Sequence, residues 1–165
     1  MWKVKKSKIH GSGVYATQVI SKNEDIIEYI GEKITKKEGD KRSAQRIKKH
    51  LNSNITGSVY IFELNKKYDI DGSPLYNKAR YINHSCEPNC EVNIKKNKIW
   101  ISSIKKIKKG QELSYDYGYP FNKDDYKDHP CKCGSKKCTG YIISSDDWVK
   151  FLNHLKKNIT KLKKL

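Results

Sequence analysis

RYINHSCEPNC, residues 80–90, is the most specific string in the chain, and the reading of the fold starts from it. Asn83, His84, Cys86 and Cys90 crowd chemistry-bearing side chains into residues 83–90. Asn83-His84-Ser85 formally matches a glycosylation acceptor. That use needs a secreted chain, and nothing points to one. No stretch approaches the roughly 20 apolar residues of a membrane span. The opening MWKVKKSKIHGSG lacks the apolar core of a signal peptide. The expectation is an intracellular chain with no membrane partner, in which thiols stay reduced.

Reduced thiols need an explanation, and spacing supplies one. Cys131-x-Cys133-x4-Cys138 lies in a loop of Lys, Gly and Ser, flanked by Gly134 and Gly140. Three thiols this close suit a tetrahedral metal loop, which needs a fourth ligand. Cys86 and Cys90 are the only other cysteines. Redox chemistry or unligated surface thiols are the alternatives, although clustered exposed thiols oxidise readily. Four thiolates would leave no open position, so such a metal would be structural.

The chain's 165 residues fit one domain with a short appendage. Hydrophobic residues make up 36%, with 11 Tyr, 3 Trp and 3 Phe, enough for one modest core and too many aromatics for a disordered chain. Lys and Arg number 35 against 18 acids, a formal charge of +17. Such a field attracts nucleic acid, acidic proteins or anionic membranes. A solvated lysine surface enriched by base composition is the bland alternative.

Strand-like runs recur at residues 13–18, 25–30, 59–64, 68–70, 91–94, 99–104 and 112–115, bounded by Gly, Asn or Lys-rich turns. The intervals lack the long helices that a parallel sheet requires. The fold class is therefore mostly β, with several small antiparallel sheets. Residues 33–51 read instead as a polar helical segment with Gly39 interrupting it, and 33–58 is taken as an insert. After Ser145, Trp148, Phe151, Leu152, Leu155, Ile159 and Leu162 recur at helical spacing. Ser144 or Ser145 caps this amphipathic C-terminal helix, with Asp146 and Asp147 in its first turn. Its stripe either packs on the domain or serves self-association.

Residues 80–90 resemble the RFxNHSCxPN motif of SET-domain lysine methyltransferases. Gly11-Ser12-Gly13-Val14-Tyr15-Ala16 resembles that family's first motif, and Glu28-Tyr29-Ile30-Gly31-Glu32 its following strand. Gly110 to Tyr117, GQELSYDY, resembles GEELxYDY, and the Cys131–Cys138 run resembles the post-SET zinc loop. All five stand in the family's order across about residues 2–143, and the sharper runs are similar to trithorax-related and small bacterial or viral members. The resemblance implies a SET domain over 1–120 built around a knot-like crossing, a post-SET zinc segment over 121–143 and a C-terminal helix over 144–165. No cysteine-rich segment precedes Trp2, so a pre-SET cluster is not expected.

The implied reaction is methyl transfer from S-adenosylmethionine to a lysine amine, leaving S-adenosylhomocysteine. The amine, with an ordinary pKa near ~10.4, must first lose its proton, in a channel that desolvates and aims it. By the resemblance Tyr117 is the catalytic tyrosine, Tyr29 lines the channel, and Tyr115 occupies a Phe/Tyr position that leans the product towards mono-methylation. The cofactor set is Gly11, Gly13, Val14, Tyr15, Tyr60, Tyr81, Asn83, His84 and Tyr117. Arg80 supports the crossing by pairing with a carboxylate. Cys86, Cys131, Cys133 and Cys138 are the implied ligands of one structural zinc, leaving Cys90 a buried free thiol.

The implied substrate is a basic protein, with a histone tail favoured over a non-histone target. Acidic residues near 24–32 and 124–128 are candidates for the peptide groove. The basic runs 33–49, 95–109 and 150–164 are candidates for DNA contact. Nucleus, host nucleus or cytoplasm all remain open as the compartment. A catalytically silent, zinc-stapled module that binds chromatin or nucleic acid is the alternative.

Overall fold

The computed structural model describes the backbone of residues 1–51 and 60–162, and the side chains of 1–48 and 60–157. Strand β1 (Trp2–Lys6) pairs antiparallel with β2 (Ser12–Ala16) from Trp2↔Ala16 to Lys6↔Ser12. The sequence reading missed β1, whose Trp-Lys-Val-Lys alternation turns Trp2 and Val4 onto the core and Lys3 and Lys5 to solvent. Strands β3 (Asp25–Tyr29), β4 (Glu32–Thr35), β5 (Ile61–Glu63), β6 (Tyr68–Asp71), β7 (Asn83–His84), β8 (Cys90–Lys95), β9 (Lys98–Ser103) and β10 (Ser114–Tyr115) complete the sheets. β3-β9-β8 and β4-β6-β5 form two antiparallel three-stranded sheets. Lys96 and Asn97 turn the β8–β9 hairpin with φ of 51° and 58°, the left-handed pair that a two-residue hairpin turn requires.

One pairing departs from the antiparallel expectation. β7 and β10 run parallel, Asn83 beside Ser114 and His84 beside Tyr115. The β8–β9 hairpin, carried between them in sequence, is the long connection that a parallel pair needs.

The helical insert also differs in detail. Helix α1 (Lys36–Leu51) starts three residues later than expected, because Ile34 is buried in β4 opposite Asp69. Gly39 does not interrupt it. A Cβ there would collide with the Asp69 carboxylate, so the glycine lets α1 lie against β6. The remainder of the insert, 52–58, and Val59 of the expected strand lie outside the described residues.

The main core gathers Val14 of β2, Ile27 of β3 and Ile101 of β9 with Ile20, Ile82, Ile107 and Leu113 of the connecting segments. A second, smaller cluster of Tyr126, Ile143 and Phe151 lies beneath helix α2 (Trp148–Leu162). Ser144 accepts from the Asp146 amide in the 3-10 turn that leads into α2. Trp148, Phe151 and Leu155 form the inward line, whereas Leu152, placed in the same stripe from sequence, is 51% exposed because it falls to one side of that line. The side chains of Ile159 and Leu162 lie outside the described ones. No described helix is long and apolar enough to cross a membrane.

Candidate functional site

The parallel β7–β10 pair sets the chemistry. Asn89 pins it: its side-chain amide donates to the Glu112 carbonyl at 2.8 Å and its Oδ1 accepts from the Ser114 amide at 2.9 Å. Tyr115 and Tyr117 leave β10 with ring centroids 5.0 Å apart. Tyr29, ending β3, packs at 4.4 Å from Phe62 and donates its hydroxyl to the Tyr60 carbonyl at 3.1 Å. Its ring fits only because Gly72 has no Cβ, which would overlap the ring. These residues, with Tyr60, Arg80 and Tyr119, line a cavity of about 220 Å³.

Burial pushes the Tyr29, Tyr115 and Tyr117 phenols well above their ordinary pKa, so all three stay protonated at neutral pH. Tyr117 donates its hydroxyl to the Ile82 carbonyl at 3.0 Å. Arg80 was expected to pair with a carboxylate. Instead its guanidinium lies 4.1 Å over the Tyr60 ring and donates to the Ser73 carbonyl, while its Nε is buried with no hydrogen-bond partner.

A larger cavity of about 310 Å³ lies on the other side of Tyr117, within the size range of small-molecule sites. The two cavities share Tyr60, Arg80, Tyr117 and Tyr119. Of the residues expected at the cofactor, Gly11, Tyr60, Tyr81, Asn83, His84 and Tyr117 line the larger cavity. Gly11 has φ of 48° and open space where a Cβ would stand, which leaves bare backbone facing the cavity.

Gly13, Val14 and Tyr15 do not line it. Val14 is fully buried in the core. A Cβ at Gly13 would collide with the Glu112 carboxylate, and the Tyr15 hydroxyl donates to that carboxylate at 2.6 Å. Glu112 also accepts from Ser7 at 2.7 Å and from the Asn83 amide at 2.8 Å. It therefore ties the residue 7–12 turn to β7, a role with no signal in the linear pattern. Tyr119 and His129, stacked at 5.6 Å and 9°, are two further lining residues that were not foreseen. Their ring stacking across ten residues leaves no local pattern.

The four cysteines converge. The Sγ atoms of Cys86, Cys131, Cys133 and Cys138 all lie within 4.8 Å of one another, with Cys86 and Cys131 at 3.8 Å. An ion about 2.3 Å from each sulfur at a tetrahedral centre would set neighbouring sulfurs roughly 3.8 Å apart, so this donor set fits a closed four-thiolate metal site. Cys90, 1% exposed, stays apart in the core and donates to Asn89 Oδ1 at 3.3 Å. His84 joins the thiols to the tyrosines: its Nδ1 accepts from the Tyr117 amide at 3.2 Å and its Nε2 lies 3.6 Å from Cys86 Sγ. Burial holds this imidazole below its ordinary pKa, against the pull of Asp116.

Charge around the cavities is largely spent internally. Asp71, 2% exposed, accepts from Arg42 and Arg46 of α1 at 2.9 and 2.8 Å. The acids near 24–32, expected to face a basic peptide, are engaged: Asp25 by Lys95, Glu28 by Lys98 and Glu32 by Arg42. Asp128 lines the larger cavity.

A family model described as "SET domain" matches residues 11–118. Among curated relatives, "Histone-lysine N-methyltransferase, H3 lysine-4 specific" of Aspergillus oryzae is 38% identical over 141 residues, 83% of this chain and 11% of the relative. "Histone-lysine N-methyltransferase set-2" of Caenorhabditis elegans is 39% identical over 146 residues, 86% and 9%. "Histone-lysine N-methyltransferase trithorax" of Drosophila virilis is 41% identical over 141 residues, 83% and 3%. The chain thus spans 3–11% of the length of these relatives.

Proposed function

The chain belongs to the SET-domain family, and from that premise we propose that it is an S-adenosylmethionine-dependent protein-lysine N-methyltransferase acting on a histone tail. The observation that carries this reading is the pair of cavities meeting at Tyr117: one takes the cofactor, and the narrower takes the lysine. The cofactor, when bound, supplies a methyl group on a sulfonium. Gly11, Asn83 and the neutral His84 line its cavity from one side, Tyr60 and Tyr81 from another.

Tyr29, Tyr60 and Tyr115 desolvate the incoming amine and present ring faces that tolerate its positive charge. Tyr117, kept protonated by burial and fixed by the Ile82 carbonyl, orients the amine and does not act as its base. The Tyr115 hydroxyl narrows the channel and favours the mono-methylated product. The thiolates of Cys86, Cys131, Cys133 and Cys138 would hold one structural zinc, tying the 131–138 loop to Cys86 beside the larger cavity that Cys131 lines. We assign 1–120 to the catalytic domain, with 33–58 its insert, 121–143 to the zinc segment and 144–165 to a helix whose exposed Val149 and Leu152 are available for self-contact. The surplus charge serves DNA, and the compartment is nuclear.

The test is transfer of labelled methyl to histones. Tyr117→Phe should lower kcat by about 10²-fold or more while cofactor binding persists. Labelling at the wild-type rate in this variant would remove Tyr117 from the mechanism. No label with cofactor binding intact would move the substrate to a non-histone protein, and no label without cofactor binding would reduce the chain to the silent module.

A further inference from the structure

Two stretches of the sequence carry no acid. Residues 1–23 hold five lysines and no Asp or Glu, and residues 92–111 hold seven lysines and none. The fold sets parts of these stretches side by side. β1 pairs with one edge of β2. On the other edge the Ala16 amide donates to the Gln111 carbonyl at 2.9 Å and the Gly110 amide to the Ala16 carbonyl at 2.8 Å, while Ile20 bridges to Ile107. Trp2, Val4 and Ile107 turn to the core, which leaves Lys3, Lys5, Lys6, Lys106, Lys108 and Lys109 exposed.

Elsewhere lysines meet carboxylates: Lys36 meets Asp69, Lys95 Asp25 and Lys150 Asp147. Among the described residues no ion pair involves any of these six. Lys5 instead lies 3.9 Å over the Tyr15 ring. The neighbouring acid, Glu112, is occupied by Ser7, Tyr15 and Asn83. None of the six lines either cavity.

We propose that these exposed lysines of β1 and the 105–111 turn dock the phosphate backbone of duplex DNA. It rests on the histone-tail reading above. A chain of charge +17 and a basic tail repel each other, and the duplex that carries the tail supplies the missing opposite charge. A face that reads only phosphates binds without sequence preference and with a steep salt dependence. Because the face is separate from both cavities, the duplex and the tail bind at once.

The test titrates a short duplex of arbitrary sequence with the full chain over a range of salt, for wild type and two triple variants, Lys3/Lys5/Lys6→Gln and Lys106/Lys108/Lys109→Gln. Each phosphate contact contributes about 0.9 to the slope of log K against log salt, so each triple variant should lower the slope by roughly 2 to 3 and weaken binding at least ~10-fold near 0.1 M salt. Nucleosome methylation should fall in step, while methylation of free histone stays at the wild-type rate and shows that the variants are folded. Slopes unchanged in both variants overturn the proposal. So does loss of binding to phosphatidylserine vesicles with duplex binding intact, which would make the face a lipid surface. If the slopes fall but the wild type methylates no histone, the DNA face stands and the substrate reading fails.

Discussion

Gly72→Ala is a one-carbon change that should disable the lysine channel from behind. A Cβ at residue 72 would stand 2.5 Å from Asn77 Nδ2 and closer still to Cε1 and Cζ of Tyr29. Ordinary contact between carbons is about 3.5–4.0 Å, so the Tyr29 ring or the backbone must move by at least ~1 Å. The backbone has little freedom: the Gly72 amide donates to the Tyr60 carbonyl at 2.7 Å, and the Gly72 carbonyl accepts from Asn77 at 2.9 Å. The ring is therefore the part that yields, and it yields into the channel. A displacement of that size at a group that aims the amine can cost about 10²-fold in kcat, with overpacking adding about 1–3 kcal/mol of destabilisation. Gly110→Ala is the matched control. Gly110 has φ of 87° and nothing within 4 Å of a built Cβ, so that variant carries backbone strain without steric overlap. Urea unfolding and methyl transfer, measured on both variants at a temperature where both are folded, separate the effects. A Gly72→Ala enzyme with wild-type kcat, or a Gly110→Ala enzyme with equal loss, would refute the reasoning.

Two further changes probe the supports of the site. Metal analysis of the purified chain should find one zinc per molecule in the wild type and in Cys90→Ser, and none in Cys86→Ser, because Cys86 stands among the four converged sulfurs and Cys90 does not. Retention of zinc by Cys86→Ser would move the fourth ligand elsewhere. Asp71→Asn leaves Arg42 and Arg46 without their shared carboxylate and should cost about 3 kcal/mol. That is the low end for a broken buried pair, since the two arginines are 26% and 27% exposed and water recovers part of the loss. Burial acts to raise the Asp71 pKa, but the bonds from Arg46 and Arg42 outweigh it and hold the carboxyl well below its ordinary value. A depressed folded pKa gives stability that is present above the unfolded value near ~3.9 and lost as pH falls below it. The gap between wild type and Asp71→Asn in urea midpoints should therefore be level from pH 7 to 5 and narrow below about pH 4. A gap that persists unchanged at pH 3 would exclude the ion pair as its source.

The readable parts of the fold were those whose signal is local. The β3, β6, β8 and β9 runs alternate or are bounded by turn residues, and the structure places strands there. The four sulfurs and the tyrosines were legible because motif order brought them to attention before geometry did. What was hidden is non-local. β4 was absorbed into the helical insert because Lys-Ile-Thr-Lys carries a single apolar residue, and only pairing with β6 makes it a strand. Glu112 and Asp71 carry no pattern that names their partners, yet one gathers Ser7, Tyr15 and Asn83 and the other gathers two arginines of α1. Partners 25 to 105 residues away leave no trace in a linear pattern. The side chains of Val14 and Tyr15 have the same kind of non-local partners. The motif marks a turn that approaches the larger cavity, and its alternation then sends Val14 into the core and spends the Tyr15 hydroxyl on Glu112.

His84 couples the four-cysteine cluster to Tyr117. The Tyr117 backbone amide can only donate, so Nδ1 of His84 must be the acceptor and the ring proton must sit on Nε2. That proton points at Cys86 Sγ, 3.6 Å away. A metal-bound thiolate at Cys86 accepts it as a charge-assisted bond, whereas a protonated thiol is a weak acceptor with a proton of its own to place. A metal held by the four sulfurs would therefore fix the imidazole; the imidazole holds the amide of Tyr117, and the Ile82 carbonyl holds the hydroxyl of the same residue. Tyr117 is thus held at both ends by partners on the 82–86 segment. Cys86, and not the three cysteines of the 131–138 loop, is thus the point at which loss of an ion from the cluster would reach Tyr117.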